Sequence, residues 1–543
     1  MAIRKYWIPA LSLSNLCFFS AWREALSPYG LSYLYFWKEY PGYAIFGALV
    51  LNVLLLASVF LVAFYLLTRY GGTHWRKFGQ ALFLLVLLLA CNHIRVQFET
   101  LRATHLRLVL GRPGYVVCVS LVILGIGVTL AHYKLDRVAR AGALMLLVLS
   151  PFGIVGITQA VWLAATYGRM VSRNRPLAPS FDHPDKARAR VLWLIFDELG
   201  EQLAFTSRPQ TLSMPEFDRM RTEALVATNA FPPAGHTSQS IPALLTGELI
   251  SSVRPVSPRE LMLTISGSET ASGWSTHADL FSDARALGLN TALIGWYNPY
   301  CRIIEDRLTN CSWEAASQRI DSTKLSLHKN LIRQDKDLLS LIPFTPTSWQ
   351  RLLTPEERNI RSEHMSDYLR ILGQAEEAVG NLKLDLLFVH LPVPHPPGIY
   401  NRSTRKLAVA EESGYLDNLA LADSALGRLR KRLEETGAWD RTSIVISSDH
   451  WWRSDYWQDR MPDSTGQPVQ EEKVDHRVPF MIRLAGQKTK LTYDAPFNTV
   501  LTRGLIREVL SGEIARPDDA AIWLEAHRTI GESPYQSYED AEQ

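Results

Sequence analysis

Acidic and imidazole side chains stand together at two places in the second half of the sequence, each directly after an apolar run. Asp197-Glu198 follows one run and Asp449-His450 follows another. Carboxylate and imidazole groups arriving from separate strand ends suit a divalent cation of the zinc type. Because neighbours within a strand face opposite ways, Asp449 and His450 can both reach one cation only where the chain has left the strand. Each pair also has an ordinary alternative, a solvated turn for Asp-His and a helix cap for the double acid.

Three further histidines lie near the ends of apolar runs. His390 ends the run 384–390, His395 follows in a proline-rich loop, and His476 comes just before Val478-Pro479-Phe480. A lone histidine in such a position is also common as a surface or core residue. The combination with the acidic pairs, mostly at strand ends, is what favours a functional site.

Thr237 is the candidate nucleophile. It lies in a Gly-His-Thr-Ser-Gln-Ser segment that leads into an apolar helix ending at Thr246-Gly247. This threonine has the chemistry of a helix cap. A hydroxyl at a helix N-terminus also lies where backbone N–H groups and the helix dipole stabilise an anionic ester. Ligation of its oxygen by a metal would lower the pKa of the alcohol enough for attack on phosphorus.

The elements that must position these residues form an α/β domain. Continuous apolar runs predict strands that are covered on both faces, and helical patterns alternate with them. This alternation predicts a mostly parallel sheet, with the chemistry beyond the carboxyl ends of its strands. The predicted strands are 191–196, 291–295, 384–390, 443–447 and 478–482, and the predicted helices are 279–287, 360–382 and 416–436.

The first third of the chain has the composition of a membrane domain. The 543 residues are 47% hydrophobic with a net charge of +3, a balance that gives no indication of nucleic-acid binding. Stretches without Asp, Glu, Lys or Arg predict about five membrane-spanning helices. The weakest stretch, 6–22, is interpreted as a retained span rather than a signal peptide because no clean cleavage site follows it. These stretches are 6–22, 40–68, 78–94, 113–133 and 141–168.

The predicted domains are a transmembrane helical domain at 1–170, a linker at 171–188 and a catalytic domain at 189–543. Five spans would place the two ends of the chain on opposite sides of the membrane. Lys and Arg are balanced between the two sets of loops, so they do not decide which end lies in the cytoplasm. Cys301 and Cys311 lie close together in the polar part of the chain. They favour a disulfide and hence an extracytoplasmic compartment, although two unrelated reduced cysteines remain an alternative.

The chain resembles the alkaline phosphatase/sulfatase superfamily. Sulfatases typically end the first strand with two aspartates before Leu-Gly, where this chain has Asp197-Glu198-Leu199-Gly200. Their nucleophile lies ten residues before the glycine of a Leu-Leu-Thr-Gly sequence, and Thr237 stands at that distance from Gly247. Formylglycine sulfatases need Cys or Ser there, so this modification is excluded. Threonine is the nucleophile in the membrane-anchored branch, the phosphoethanolamine transferases and lipoteichoic acid synthases.

That resemblance implies a metal site and a location. It implies one zinc or manganese ion, a catalytic domain in the periplasm, and membrane helices in the bacterial inner membrane. Two features depart from the phosphoethanolamine transferases and bear on which headgroup is transferred. Trp451-Trp452-Arg453 replaces the usual Gly-Glu after Asp-His, and one disulfide is expected where that group usually has several. The implied metal ligands are Asp197, Thr237, Asp449 and His450, with Glu198 and His476 as further members. The implied catalytic residues are Thr237, His395 and His476.

Three functional hypotheses follow. The first is a transferase that moves a phospholipid headgroup, of phosphoethanolamine or phosphoglycerol type, onto a glycan or lipid acceptor through a phosphothreonine. His395 and His476 would bind the phosphate, transfer protons or complete a second metal site. The second is a membrane-tethered sulfatase-like phosphohydrolase or sulfohydrolase. The third is a scaffold with a degenerate site.

Overall fold

The computed structural model describes residues 4–26, 43–69, 72–96, 117, 135–171, 177–182, 189–257, 259–314, 326–339, 356–408, 413–454, 456–457 and 475–528. The helices are α1 (Arg4–Cys17), α2 (Phe19–Leu26), α3 (Tyr43–Arg69), α4 (Thr73–Val96), α5 (Leu135–Val148), α6 (Pro151–Val171), α7 (Pro215–Thr222), α8 (Thr237–Thr246), α9 (Leu280–Ala286), α10 (Tyr300–Ile303), α11 (Leu327–Leu339), α12 (Glu356–Gly380), α13 (Tyr415–Glu435), α14 (Thr502–Ser511) and α15 (Pro517–His527). The strands are β1 (Arg190–Phe196), β2 (Leu225–Phe231), β3 (Ile250–Ser257), β4 (Glu260–Ile265), β5 (Ala271–Gly273), β6 (Thr291–Trp296), β7 (Asn310–Glu314), β8 (Leu386–Leu391), β9 (Tyr400–Asn401), β10 (Lys406–Leu407), β11 (Thr442–Ser448), β12 (Val478–Arg483), β13 (Leu491–Tyr493) and β14 (Phe497–Asn498).

These elements form two compact units. The helical unit contains α1–α6 together with α11, and the α/β unit contains the other helices and the strands named above. Three stretches of the helical unit are long and apolar enough to span a membrane: Tyr43–Leu67, Thr73–Arg95 and Leu135–Trp162. They correspond to the predicted spans 40–68, 78–94 and 141–168, with a break between α5 and α6 in the last one.

Two of the predicted spans are not among these three. The stretch 6–22 lies in α1 and α2, which are 14 and 8 residues long. Its polar side chains are satisfied inside the unit: Ser14 Oγ donates to the Val53 carbonyl at 2.7 Å, and Trp22 Nε1 donates to Asn15 Oδ1 at 3.0 Å. The stretch 113–133 lies outside the described residues except for residue 117. The count of about five spans is therefore unconfirmed.

Helix α11 comes from the polar part of the chain but packs on α3 within the helical unit. Asn52 Nδ2 donates to the Leu331 carbonyl and to Gln334 Oε1, at 3.2 Å each, and Gln334 Nε2 donates to the Ile45 carbonyl at 3.2 Å. Polar groups buried beside an apolar span are costly unless they are paired, so these bonds fix the register of α11 on α3. The predicted transmembrane domain, 1–170, does not include α11, which belongs to the helical unit.

The α/β unit is built on a nine-stranded sheet in the order β13-β2-β12-β11-β1-β8-β6-β7, with β14 also paired to β2. The central strands β11, β1, β8, β6 and β7 are parallel. Strand β12 runs antiparallel to both of its neighbours, β11 and β2. The predicted mostly parallel sheet is confirmed, as a mixed sheet with one reversed strand in the part of the chain that the structure describes.

The five apolar runs predicted as strands are β1, β6, β8, β11 and β12, and every residue of these strands is buried. The three predicted helices in this part of the chain correspond to α9, α12 and α13. The sequence prediction omits β2 because Thr228 and Asn229 interrupt its apolar run. Cys301 and Cys311 form the predicted disulfide, which joins α10 to β7.

Candidate active site

The register of the central strands brings the two acidic pairs together. Phe196, the last residue of β1, pairs with Ser448, the last residue of β11. Asp197 and Asp449 therefore leave the sheet side by side at the carboxyl ends of parallel strands. Asp449 and His450 lie beyond the end of β11, which is the condition for both side chains to face one cation.

Among the described residues, one group of three histidine, cysteine or acidic side chains could hold a metal ion. It consists of Asp197, Asp449 and His450, whose ligand atoms all lie within 4.8 Å of one another. His450 Nε2 is 3.4 Å from Asp449 Oδ2 and 3.6 Å from Asp197 Oδ1. The three side chains are fully buried.

The donor set fits a divalent cation. Both carboxylate oxygens of Asp197 and Oδ2 of Asp449 are buried without a hydrogen-bond partner. Burial raises the pKa of each carboxyl to about 7, and the neighbouring Asp197 adds to the rise at Asp449. Buried anions without partners are unstable, and a cation would supply the missing charge. His450 Nδ1 donates to the Trp451 carbonyl at 3.1 Å, so its Nε2 carries the lone pair that a metal needs.

Thr237 is the first residue of α8 and faces this group. The N-cap of the helix is His236, so Thr237 is not the capping residue. Its hydroxyl lies 3.3 Å from His450 Nε2, and its side chain is buried. Ser240, one turn further along α8, donates its hydroxyl hydrogen to the Asp449 carbonyl and ties the helix to the β11 loop. The positive end of the α8 dipole is thus directed at the space beside Asp449.

Glu198 is placed differently from the other candidate ligands. Its carboxylate oxygen Oε1 accepts from Arg453 Nε at 2.7 Å, and Oε2 accepts from Trp457 Nε1 at 2.7 Å. Burial raises its pKa to about 8, against the opposing effect of Arg453. Glu198 does not belong to the group of three described above. Its role as a metal ligand stays a prediction, and in this structure its charge is balanced by Arg453.

His390 and His395 lie on the β8 side of the site. His390 Nε2 is 3.6 Å from Asp197 Oδ2, and its Nδ1 is 3.0 Å from the Tyr300 hydroxyl. The ring of His395 lies 4.9 Å from that of Trp296, and its backbone N–H donates to the Asp197 carbonyl at 3.0 Å. Burial lowers the pKa of His390 to about 4 and that of His395 well below its usual value, so both rings are neutral at pH 7.

His476 reaches the same edge of the sheet because β12 is reversed. The start of β12, not its end, lies beside the carboxyl ends of β11 and β2. The His476 ring is 4.3 Å from that of Trp451, next to His450 in sequence. His476 is not one of the three grouped metal-binding residues. The structure thus places it near the site, and its roles in metal binding and catalysis stay predictions.

Three residues that the sequence interpretation did not select support the site. The Tyr415 hydroxyl donates to the Glu198 carbonyl at 2.7 Å and accepts from the Gly200 N–H at 3.0 Å. Tyr300 contacts His390 as described above, and His364 Nε2 donates to the His395 carbonyl at 3.1 Å. Tyr415 and His364 lie inside or at the start of long helices, where no sequence signal separates them from core residues.

Comparisons with known proteins found a family model and solved structures that are similar to parts of this chain. Residues 345–502 match the family model described as Sulfatase. No curated protein matches this chain. Among solved structures, the chain is similar to the phosphonate monoester hydrolase of Agrobacterium radiobacter, with 14% identity, a TM-score of 0.38 and coverage of 60% of this chain and 74% of the other. It is also similar to the PsFucS1 sulfatase from Pseudoalteromonas sp., with 17% identity, a TM-score of 0.40 and coverage of 60% and 68%.

The match at 345–502 ends at the first residue of α14, and it contains Asp449, His450, His390, His395 and His476. Asp197, which directly follows β1, and Thr237, at the start of α8, precede the matched segment. The chain is thus similar to sulfatases over residues 345–502, and the α/β unit has an Asp-Asp-His group that could hold a metal ion.

Proposed function

We propose that this protein is a membrane-bound, metal-dependent transferase that moves a phospholipid headgroup onto a glycan or lipid hydroxyl. The headgroup is of phosphoethanolamine or phosphoglycerol type, and the covalent intermediate is a phosphothreonine at Thr237. The observation that carries this proposal is the buried Thr237 hydroxyl, 3.3 Å from His450 Nε2 at the N-terminus of α8. A threonine in this position cannot become formylglycine, so a phosphoryl group is the substrate class that we favour.

The proposed cofactor is a divalent cation, with Zn²⁺ preferred and Mn²⁺ as the alternative. Asp197, Asp449 and His450 would hold it, and Thr237 is placed to be a further ligand. When bound, such a cation lowers the pKa of an alcohol and neutralises charge on phosphoryl oxygens. Two carboxylates and one imidazole, with an open side towards Thr237, agree with a catalytic rather than a closed structural site.

The chain's own residues would perform the transfer in two steps. In the first, Thr237 Oγ1 loses its proton and bonds to phosphorus, while the bond from phosphorus to the diacylglycerol oxygen breaks and that oxygen takes up a proton. In the second, the acceptor hydroxyl loses its proton and its oxygen bonds to the same phosphorus, while the bond from phosphorus to Thr237 Oγ1 breaks and Oγ1 takes up a proton. His395 and His476 are the proposed proton carriers. Burial lowers the pKa of His395, which keeps its ring neutral at pH 7.

The membrane helices and the disulfide support the proposed location. The three candidate spans would keep the enzyme in the bilayer that holds its lipid donor. The disulfide between Cys301 and Cys311 is typical of an oxidising compartment, which favours the periplasmic side of a bacterial inner membrane.

The test is to trap the intermediate and follow the label. The purified protein is incubated with phospholipid labelled in the headgroup, with and without glycan or lipid acceptors, and the peptide that contains Thr237 is analysed by mass spectrometry. We expect a labelled Thr237 without acceptor and transfer of the label when acceptor is present. The matched control is Thr222→Ala, at the exposed end of α7.

Two results would contradict the proposal. A Thr237→Ala protein that still transferred label would exclude the nucleophile. Steady release of the headgroup to water, with no transfer to any acceptor, would identify a hydrolase instead.

A further inference from the structure

The Trp451-Trp452-Arg453 segment contacts two loops of the site and the start of α13. A Cβ on Gly235, two residues before Thr237, would lie 2.7 Å from the Trp451 ring, so this glycine permits the close contact. The Trp452 ring stacks on that of Tyr415 at 3.8 Å. Arg453 contacts Glu198 and His236. The residues after the Asp-His pair thus contact both the loop after β1 and the loop before α8.

The contacts of Arg453 are the most specific of these. Its Nε donates to Glu198 Oε1 at 2.7 Å, its Nη2 donates to the same oxygen, and its Nη1 donates to His236 Nδ1 at 2.9 Å. Glu198 directly follows Asp197, and His236 directly precedes Thr237. One guanidinium therefore joins the loop of a candidate metal ligand to the loop of the candidate nucleophile.

The loop at Glu198 needs such support. Glu198 has a φ of 62°, in the left-handed region that residues other than glycine rarely adopt. A backbone of this kind persists only where its surroundings hold it. The Arg453 and Trp457 bonds to its carboxylate, together with the Tyr415 bond to its carbonyl, hold it here. The direction in which Asp197 leaves β1 depends on the same turn.

We propose that Arg453 is a positioning residue, which sets the geometry of Thr237 and Asp197 through His236 and Glu198. This inference rests on the proposed role of Thr237 as the nucleophile. All three nitrogens of the guanidinium have protein partners, and its side chain is 15% exposed. Arg453 is thus placed to hold two loops together rather than to bind the acceptor.

The experiment compares three variants with the wild-type protein in detergent. Arg453→Lys keeps the charge but loses the planar fork that bonds two partners. The double variant E198Q/R453Q removes both charges together and thus avoids a buried unpaired carboxylate that could prevent folding. The control is Arg428→Gln, which breaks the exposed ion pair between Arg428 and Glu376 on α13 and α12.

Three quantities are measured for each protein: the thermal unfolding temperature, the affinity of the metal-free protein for Zn²⁺ by chelator competition, and kcat and KM at saturating Zn²⁺. A soluble chromogenic phosphodiester serves as substrate. For folded Arg453→Lys and E198Q/R453Q we expect about tenfold weaker Zn²⁺ binding and a kcat about a hundredfold lower, with KM little changed. Arg428→Gln should match the wild type.

A kcat within about twofold of wild type in folded Arg453→Lys and E198Q/R453Q would overturn the proposal. A raised KM with unchanged kcat would also overturn it, because that result identifies a substrate-binding group. The two proposals can fail separately. If the wild-type protein hydrolyses the chromogenic ester but never forms phosphothreonine, the proposed function fails while the comparison of kcat still decides the role of Arg453. If the wild-type protein hydrolyses no ester, the Zn²⁺ affinities of the variants decide whether Arg453 is a positioning residue.

Discussion

The Thr237 hydroxyl and the His450 Nε2 atom lie 3.3 Å apart, and the same nitrogen faces the carboxylates of Asp197 and Asp449. His450 Nδ1 is bonded to the Trp451 carbonyl, so the ring has one fixed orientation and one available lone pair. A cation between the two acids and this nitrogen would adjoin the threonine oxygen. Metal binding and nucleophile activation are therefore expected to depend on the same residues.

Replacement of Asp449 with asparagine tests the metal site. The change keeps the shape of the side chain but removes one of the two charges that attract the cation. Because loss of an outer hydrogen-bond partner alone weakens metal sites by about 10–100-fold, loss of a ligand charge should weaken Zn²⁺ binding by about a hundredfold or more. Metal content after dialysis, measured by mass spectrometry, and ester cleavage should fall together. Asp518→Asn, on the exposed first turn of α15, is the control. A fully loaded, active D449N protein would exclude Asp449 as a ligand.

Replacement of Gly295 with alanine tests the support of His390. A Cβ at this position would lie 2.4 Å from the Tyr300 ring, whose hydroxyl contacts His390 Nδ1. We expect a loss of about 1–3 kcal/mol in the free energy of unfolding, as for other overpacked cores, and reduced activity. Gly373→Ala is the matched control in α12, where nothing lies within 4 Å of the added carbon. That change should stabilise the protein by about 0.5–1 kcal/mol. Equal stability of the two variants would contradict the packing described for Tyr300.

The buried His364 predicts a loss of stability in acid. Burial lowers its pKa to about 4, whereas the unfolded chain has the ordinary value of about 6.5. Between these values the unfolded state binds a proton that the folded state does not, so the free energy of unfolding should decrease as pH falls from 6.5 to 4, by about 3 kcal/mol at most. Above pH 6.5 the effect of this residue should be constant. His364→Gln should lessen the slope of unfolding free energy against pH, and an unchanged slope would contradict the prediction.

The disulfide between Cys301 and Cys311 provides a test of location as well as stability. Closing a loop of this length should stabilise the α/β unit by about 3 kcal/mol, so C301S/C311S should unfold at a lower denaturant concentration. In protein taken directly from its native membrane, maleimide should label neither cysteine until the protein is reduced. Two free thiols in that sample would argue against an oxidising compartment.

The main sheet and the site at its edge were largely predictable from sequence. Strands β1 and β11 are continuous apolar runs, and a parallel pair places the residues after them side by side, so the sequence alone predicts that Asp197 and Asp449 lie close together. Strand β2 was not predictable in the same way, because Thr228 and Asn229 leave it without a continuous apolar pattern.

Other features depend on conformation that has no local signal. The pairing of Glu198 with Arg453 arises from a left-handed residue after β1 and from the path of the chain after β11. In the sequence, Trp451-Trp452-Arg453 is recognisable only as a departure from the Gly-Glu that usually follows Asp-His in the family it resembles. The position of α11 against α3 depends on Asn52 and Gln334, two polar residues that are distant in sequence. Helix periodicity predicts neither contact.

The reversed direction of β12 means that the chain leaves the sheet at Ser448 and re-enters it at Val478 on the same edge. Both ends of this connection therefore lie beside the group of Asp197, Asp449 and His450. Substitutions near either end can change the surroundings of that group without changing the order of the strands.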